Sequence, residues 1–401
     1  MDNVMIEEKV LKLDKSNWVP TKLGDLAREI SKRVDNPSDS EYDRFVSLRC
    51  FVSGDIKIKS WETTETLVSS AKAFQKGDIL FARRNAYLRR ASMVDFDGCC
   101  SGDAFVLRED HDKVVPGFLA FLLNSDVLWD YANSNAAGTM SKRVKWRDLS
   151  EYEFLLPPKD QQAKLAELLW AMDEVIEREN EFLERLVITK KVISKANIDF
   201  GYSSKGKPLP VDWKMMKVEN LAKVQAGSTP LRSNNDFFNG GSFSWVKTLD
   251  LNNDKIYSTE ESITQLALDK TSCKLREKGS VLVAMYGGFN QIGRTGLLEI
   301  EAATNQAISA IMVDRKVILP EFLLLVLNSR VDYWKKVAIS SRKDPNITKV
   351  DVEKFPLSIP SINKQQSILK KTNSILLAIE ESKSKISSSK ALQKSLINQV
   401  F

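Results

Sequence analysis

Leu155-Leu156-Pro157-Pro158-Lys159-Asp160-Gln161-Gln162 and Leu357-Ser358-Ile359-Pro360-Ser361-Ile362-Asn363-Lys364-Gln365-Gln366 share one pattern: apolar residues, a proline turn and a Gln-Gln pair. Working outward from them, other landmarks also recur. Trp18 precedes VPTKLGDLA and Trp213 precedes KMMKVENLA. Lys76-Gly77 leads into DILFA, and Lys278-Gly279 into SVLVA. An apolar helix pattern ending in Leu-Asn-Ser closes at Ser125 and again at Ser329. The offsets are 213−18=195, 278−76=202, 328−124=204 and 365−161=204. A near-constant offset over four landmarks marks a duplication of about half the chain.

Each Gln-Gln pair opens a long helix. From Gln161 to Ala196 there is no proline or glycine, and Leu165, Leu169, Met172, Ile176, Leu183, Leu186 and Ile193 recur at heptad spacing, interrupted by Glu179 and Lys190. The second copy places Ile368, Ile375, Ile379, Ile386, Leu396 and Val400 on one stripe. Such stripes predict helices that pack along each other, each about 54 Å long for roughly 36 residues; surface helices on a globular core are the alternative. Before each helix, short β-rich runs, turns and one amphipathic helix predict a mixed domain. The expected fold class is therefore α+β: two tandem globular α/β-mixed domains, each followed by a long α-helix, with the helices pairing as an antiparallel coiled coil in a pseudo-two-fold arrangement. The expected boundaries are a tail over 1–17, domains over 18–158 and 213–360, helices over 159–197 and 361–401, and a linker over 198–212 that includes Asp199–Pro208.

The 401 residues suffice for two or three domains, and 43% hydrophobic with 28% charged residues fits a folded soluble protein. A net charge of +6 permits a nucleic-acid partner without establishing one. No apolar run approaches the roughly 20 residues that span a bilayer, and Met1–Lys15 holds no apolar signal core, so no membrane is expected and a cytoplasmic location is. Cys50, Cys99, Cys100 and Cys273 form no Cys-x-x-Cys pair, which predicts reduced thiols and no metal site.

Missing motifs argue against catalysis. The sequence has no phosphate-cradling Gly-x-x-x-x-Gly-Lys-[Ser/Thr] run, no Asn-Pro-Pro-Tyr-like methyltransferase loop, and Gly287, Gly288 and Gly293 do not fit dinucleotide spacing. The single histidine, His111, sits in a polar stretch with no nucleophile beside it, so hydrolytic triads and di-histidine metal sites have little to build on. The chain reads as a binder rather than an enzyme, with no cofactor of its own.

Proteins that read duplex DNA need Lys and Arg for phosphates, and Arg, Asn, Gln, Ser or Thr for base edges. In the first half, Arg83, Arg84, Asn85, Tyr87, Arg89 and Arg90 follow a strand-like run and suit a groove-facing loop. Asn290, Gln291 and Arg294 hold the corresponding place in the second half. A solvated hairpin remains the alternative for either. A second pair of segments precedes the proline turns, with Thr139, Lys142, Arg143 and Lys145 in one half and Arg342, Lys343 and Asn346 in the other. Ser228, Thr229 and Arg232, found only in the second half, suit a third contact or a plain turn.

At these residues the chain resembles the specificity subunit of type I restriction–modification enzymes. Gly227-Ser228-Thr229-Pro230 and Trp245-Val246-Lys247-Thr248-Leu249-Asp250-Leu251 are similar to the family's Gly-Gly-Thr-Pro and Trp-Val-x-x-x-Asp-Leu motifs. Gln291-Ile292-Gly293-Arg294, Asn305-Gln306-Ala307 and Ile359-Pro360 before Gln365-Gln366 resemble further signatures. The first half keeps Trp18, Lys76-Gly77, Gly138-Thr139, Pro157 and Gln161-Gln162 but lacks the Gly-Ser-Thr-Pro and Trp-Val-Lys segments, which suggests a different subtype of target-recognition domain. The resemblance implies a non-catalytic subunit that directs methylation and restriction to an asymmetric bipartite site in double-stranded DNA. Each domain would read one half-site, and the helices would set the gap. It implies two methylation subunits and restriction or translocase subunits as partners, which supply S-adenosylmethionine, ATP and Mg chemistry. Exposed helix faces around Glu174, Glu177, Arg178, Glu181 and Arg185 are candidate partner contacts. The alternatives are a DNA-binding or interaction scaffold outside restriction–modification, or a self-contained restriction enzyme fragment.

Overall fold

The computed structural model describes residues 13–139, 141–198, 209–288, 290–339 and 346–401, with backbone only for 194–198 and 339. The expected tail up to position 12 and the linker stretch Asp199–Pro208 lie outside the described residues. Packing divides the chain into two compact units, Met1–Phe182 with Ser382–Phe401, and Leu183–Glu381. Each long helix therefore contributes to both.

In the first unit, Ala27–Glu29, Ala104–Glu109, Ile79–Ala82 and Ala91–Met93 form an antiparallel sheet in that spatial order. The second unit repeats the order with Ala222–Ala226, Ile308–Val313, Val281–Ala284 and Thr295–Leu298, and adds Lys255–Ile256 at the edge. The apolar runs Ile79–Ala82 and Val281–Ala284 are buried at every residue, as central strands covered on both faces must be. Both are preceded by the Lys-Gly turn, whose Gly77 and Gly279 sit at φ +90° and +92°. Side chains rarely adopt that conformation, which accounts for the recurrence of glycine.

A second sheet in each unit holds one parallel pair. Arg44–Val46 runs parallel to Gly98–Cys100, and Phe243–Val246 runs parallel to Ala303–Thr304. Phe45 faces Cys99, just as Trp245 faces Ala303. The first half thus lacks the Trp-Val-Lys motif yet keeps the strand, with Phe45-Val46 in its place.

The first core packs Trp18, Phe81, Phe105, Phe118, Phe121 and Trp129 against Leu165 and Leu169 of the first long helix and Leu396 and Val400 of the second. Phe81 stacks on Trp129 with ring centres 4.4 Å apart. The second unit gathers Trp213, Ile311, Phe322, Trp334 and Phe355 with Ile368. The apolar helix expected in both halves is intact at Pro320–Ser329 but shrinks to Leu119–Leu122 in the first. There Gly117 takes a positive φ, and the buried Glu109 carboxylate accepts N–H groups from Gly117 and Leu119 at 2.6 and 2.9 Å. Helix geometry therefore starts later.

The long helices run Lys159–Ile198 and Ile362–Val400. Within the first unit the Gln393 side chain donates to the Leu169 carbonyl at 3.5 Å, and the Ser382 hydroxyl to that of Glu179 at 3.4 Å. Ten residues forward in one helix match eleven back in the other, so the pairing is antiparallel. The buried row reads Gln162, Leu165, Leu169, Ile176 on one helix and Ser382, Gln393, Leu396, Val400 on the other. All eight positions follow the alternating three-and-four spacing of a coiled-coil seam. Glu179, which looks like an interruption in sequence, occupies a seam position opposite Ser382.

Candidate nucleic-acid interface

The loop after the central strand is closed by the same backbone bonds in both units. The Ala82 and Ala284 N–H groups donate to the carbonyls of Arg90 and Arg294. Arg83 and Met285 donate to Asp103 and Ala307, and their own carbonyls accept from Val144 and Ile347. Arg90 and Arg294 therefore hold one position on a shared scaffold. The segments around 142–145 and 346–348 are latched beside the loops, so two sequence-distant candidate sets form a single surface in each unit.

In the first unit, Asp103 organises that surface, although sequence reasoning did not single it out. It accepts Arg143 at 2.9 Å and Arg84 at 3.4 Å. Burial alone would raise its carboxyl; the two guanidinium groups outweigh this and hold it below the usual carboxylate range. Arg84 also donates to the Ser141 hydroxyl at 2.8 Å, and that hydroxyl donates to Asn85 at 3.3 Å. Arg83 lies over the Phe105 ring, 5.2 Å from its centre. Arg89 is paired with Asp126 and Asp130. Arg90 donates to the Leu48 carbonyl at 2.8 Å, and burial lowers its pKa. Tyr87, Thr139, Lys142 and Lys145 are exposed. The arginine cluster is thus largely fixed by local partners, which orients it while leaving its outer edges available.

In the second unit, Asn290 is exposed in a turn, and Arg294 donates to the Gln291 side chain at 3.0 Å. Asn346 is half-buried, while Arg342 and Lys343 lie outside the described residues. The Ser228 hydroxyl meets that of Ser272 at 2.7 Å, and the Thr229 hydroxyl donates to Gln306. A side chain at Gly227 would press within 2.1 Å of the Asn305 carbonyl, so only glycine lets this strand end approach Asn305-Gln306 so closely. Arg232 lies over Trp245 and Phe238 at 4.7 and 4.8 Å and donates to Glu261 at 2.6 Å. Lys247 reaches the same Glu261 at 2.6 Å and Glu260 at 2.7 Å. The two cations hold the Glu261 carboxyl low.

These surfaces carry fixed cations beside amides and hydroxyls, a composition suited to phosphates and base edges. The profile of the family described as "Type I restriction modification DNA specificity domain" matches residues 15–186 and 210–387, and the chain belongs to that family. It is 26% identical over 188 residues to the type I restriction enzyme EcoDI specificity subunit of Escherichia coli, an alignment covering 45% of this chain and 41% of that protein. This part of the likeness therefore spans well under half of that relative. The HindI specificity subunit of Haemophilus influenzae is 22% identical across 86% of this chain and 90% of its own. A chain solved in work on the assembly and conformational transition of the type I R-M system matches in fold, with a TM-score of 0.61 and 21% identity, over 97% of this chain and 98% of its own.

Proposed function

We propose that the chain is the sequence-reading, non-catalytic subunit of a type I restriction–modification enzyme. Residues 18–158 and 213–360 are its two reading domains, and the long helices set the spacing between half-sites. The observation that carries this reading is the loop scaffold, which is closed by equivalent backbone bonds in both units but bears different side chains. One frame with two faces suits an asymmetric, bipartite double-stranded target. Arg83, Arg84, Asn85, Tyr87, Arg143, Lys142, Lys145 and Thr139 serve the first half-site. Ser228, Thr229, Arg232, Asn290, Gln291, Arg294 and Asn346, together with Arg342 and Lys343, serve the second. Arg89 and Arg90 hold the first loop in shape.

Methyl transfer from S-adenosylmethionine and ATP-driven restriction belong to partner subunits that dock on the helices; this chain binds no cofactor itself. Adenine-methylation mapping of the source cell, with the gene intact and deleted, tests the proposal. Loss of one split, asymmetric motif on deletion is the expected result, and an unchanged map overturns it.

A further inference from the structure

Each unit carries a second loop against the scaffold just described, and it recurs at equivalent places. After the parallel-paired strand, the Val46 carbonyl accepts from Ser101 at 3.1 Å, and the Val246 carbonyl accepts from Asn305 at 3.0 Å. This equates Ser47-Leu48-Arg49 with Lys247-Thr248-Leu249. An acid stands across the sheet from both turns: Glu62 opposes Phe45, and Glu261 opposes Trp245. The first residue of each turn bonds that acid, Ser47 to Glu62 and Lys247 to Glu261, both at 2.6 Å. The middle residue of each meets the candidate reading loop. Arg90 donates to the Leu48 carbonyl, and a side chain built on Gly287 would lie 3.5 Å from the Thr248 hydroxyl. The third residue projects outward in both, with Arg49 exposed and Leu249 69% exposed.

We infer that these turns form a second reading element in each domain, with Arg49 and Leu249 as equivalent specificity-determining residues. The inference rests on the proposed DNA-reading role. The Ser47–Glu62 and Lys247–Glu261 bonds fix each turn, and its contact with the loop sets it beside the surface that meets DNA. An arginine so placed donates to guanine O6 and N7, whereas a leucine offers an apolar contact to the thymine methyl group. The two half-sites therefore differ at this position: a guanine in the first, a thymine in the second. Exposure of both side chains means that substitution leaves the core intact.

The test is methylation mapping in the source cell with the full-length gene carrying Arg49→Ala or Leu249→Arg, with the thermal midpoint of each purified chain as a folding control. The expected result is relaxation or change at one base position of a single half-site, the first for Arg49→Ala and the second for Leu249→Arg. Methylation of sites mismatched there should rise on the order of ten- to a hundredfold. A map identical to wild type, or equal weakening of both half-sites at an unchanged midpoint, overturns the inference while the DNA-reading role stands. If the wild-type gene supports no bipartite motif at all, the DNA-reading role itself fails.

Discussion

The side-chain amide of Gln162 accepts the Val115 N–H at 2.9 Å, and its NH2 donates to the Pro157 carbonyl at 2.8 Å. Gln365 does the same to Leu319 and Pro360, at 2.9 and 3.0 Å, and adds the Val317 carbonyl at 3.0 Å. Both side chains are buried, and both tie the first turn of a long helix to the residue before a helix-starting segment. The equivalent glutamines are thus the second of one Gln-Gln pair and the first of the other. Gln161 instead accepts the Trp18 indole N–H at 2.8 Å.

Replacing Gln162 or Gln365 by alanine leaves a half-buried N–H and a buried proline carbonyl unpaired, so each variant should lose about 1–3 kcal/mol for the orphaned carbonyl and less for the N–H. Thermal unfolding measures the total. Hydrogen exchange should speed at the Val115 amide in the first variant and at the Leu319 amide in the second. Unchanged exchange at both amides would contradict the assigned joint.

The duplication, the long helices and the order of domains were legible because they rest on apolar periodicity and on turn residues, which act locally. The polar seam was not legible. Glu179, Ser382 and Gln393 look like breaks in a stripe until the facing helix supplies their partners. The Phe45-Val46 strand hid behind a lost motif, since its pairing with Cys99-Cys100 is set by backbone geometry rather than by tryptophan. The arginines near Arg84 read as open charges because Asp103 and Asp126, which hold them, lie well outside any local window.

The buried cysteines should be inert. Burial pushes the Cys99 thiol up to about 11 and that of Cys100 up to about 12. At pH 8 roughly one chain in a thousand or fewer carries either thiolate, the form that reacts. Iodoacetamide should therefore label neither residue in the native chain and both after denaturation, as peptide mass mapping would show. Rapid native labelling at either position would contradict this burial.

Glu299 should contribute to acid sensitivity. Hydrogen bonds from Lys255 and Lys278 hold its carboxyl at about 2, against an ordinary value of 4.5. A depressed folded-state pKa means that the stabilisation is fully present above about pH 4.5 and drains away as pH falls toward 2. Glu299→Gln should flatten the dependence of the melting temperature on pH across that window and leave the slope above pH 6 unchanged. An identical acid limb in both chains would show that the ion pairs contribute nothing to stability, the usual outcome for exposed pairs.

Lys142 and Lys145 stand exposed beside the first loop, and under the proposed function they contact phosphates rather than base edges. Replacing both by alanine should weaken DNA binding by the assembled complex for every sequence alike and lower the salt slope of log K by about 2. A change in base preference with an unchanged slope would reassign them to base reading.

The seam makes the spacing role testable by register. Deleting one heptad from each helix, Glu179–Arg185 together with Leu376–Ser382, removes about 10.5 Å of length while preserving the three-and-four spacing. With about 3.4 Å per base pair, the gap between half-sites should shorten by about three base pairs while both half-site sequences remain as before. A four-residue deletion from each helix turns the apolar stripe by about 40° and breaks the three-and-four spacing, which the coiled coil absorbs only by local overwinding, so it should lower methylation more than the heptad deletion does. Methylation mapping distinguishes the outcomes, and a heptad-deleted chain that keeps the original gap would show that the helices do not set it.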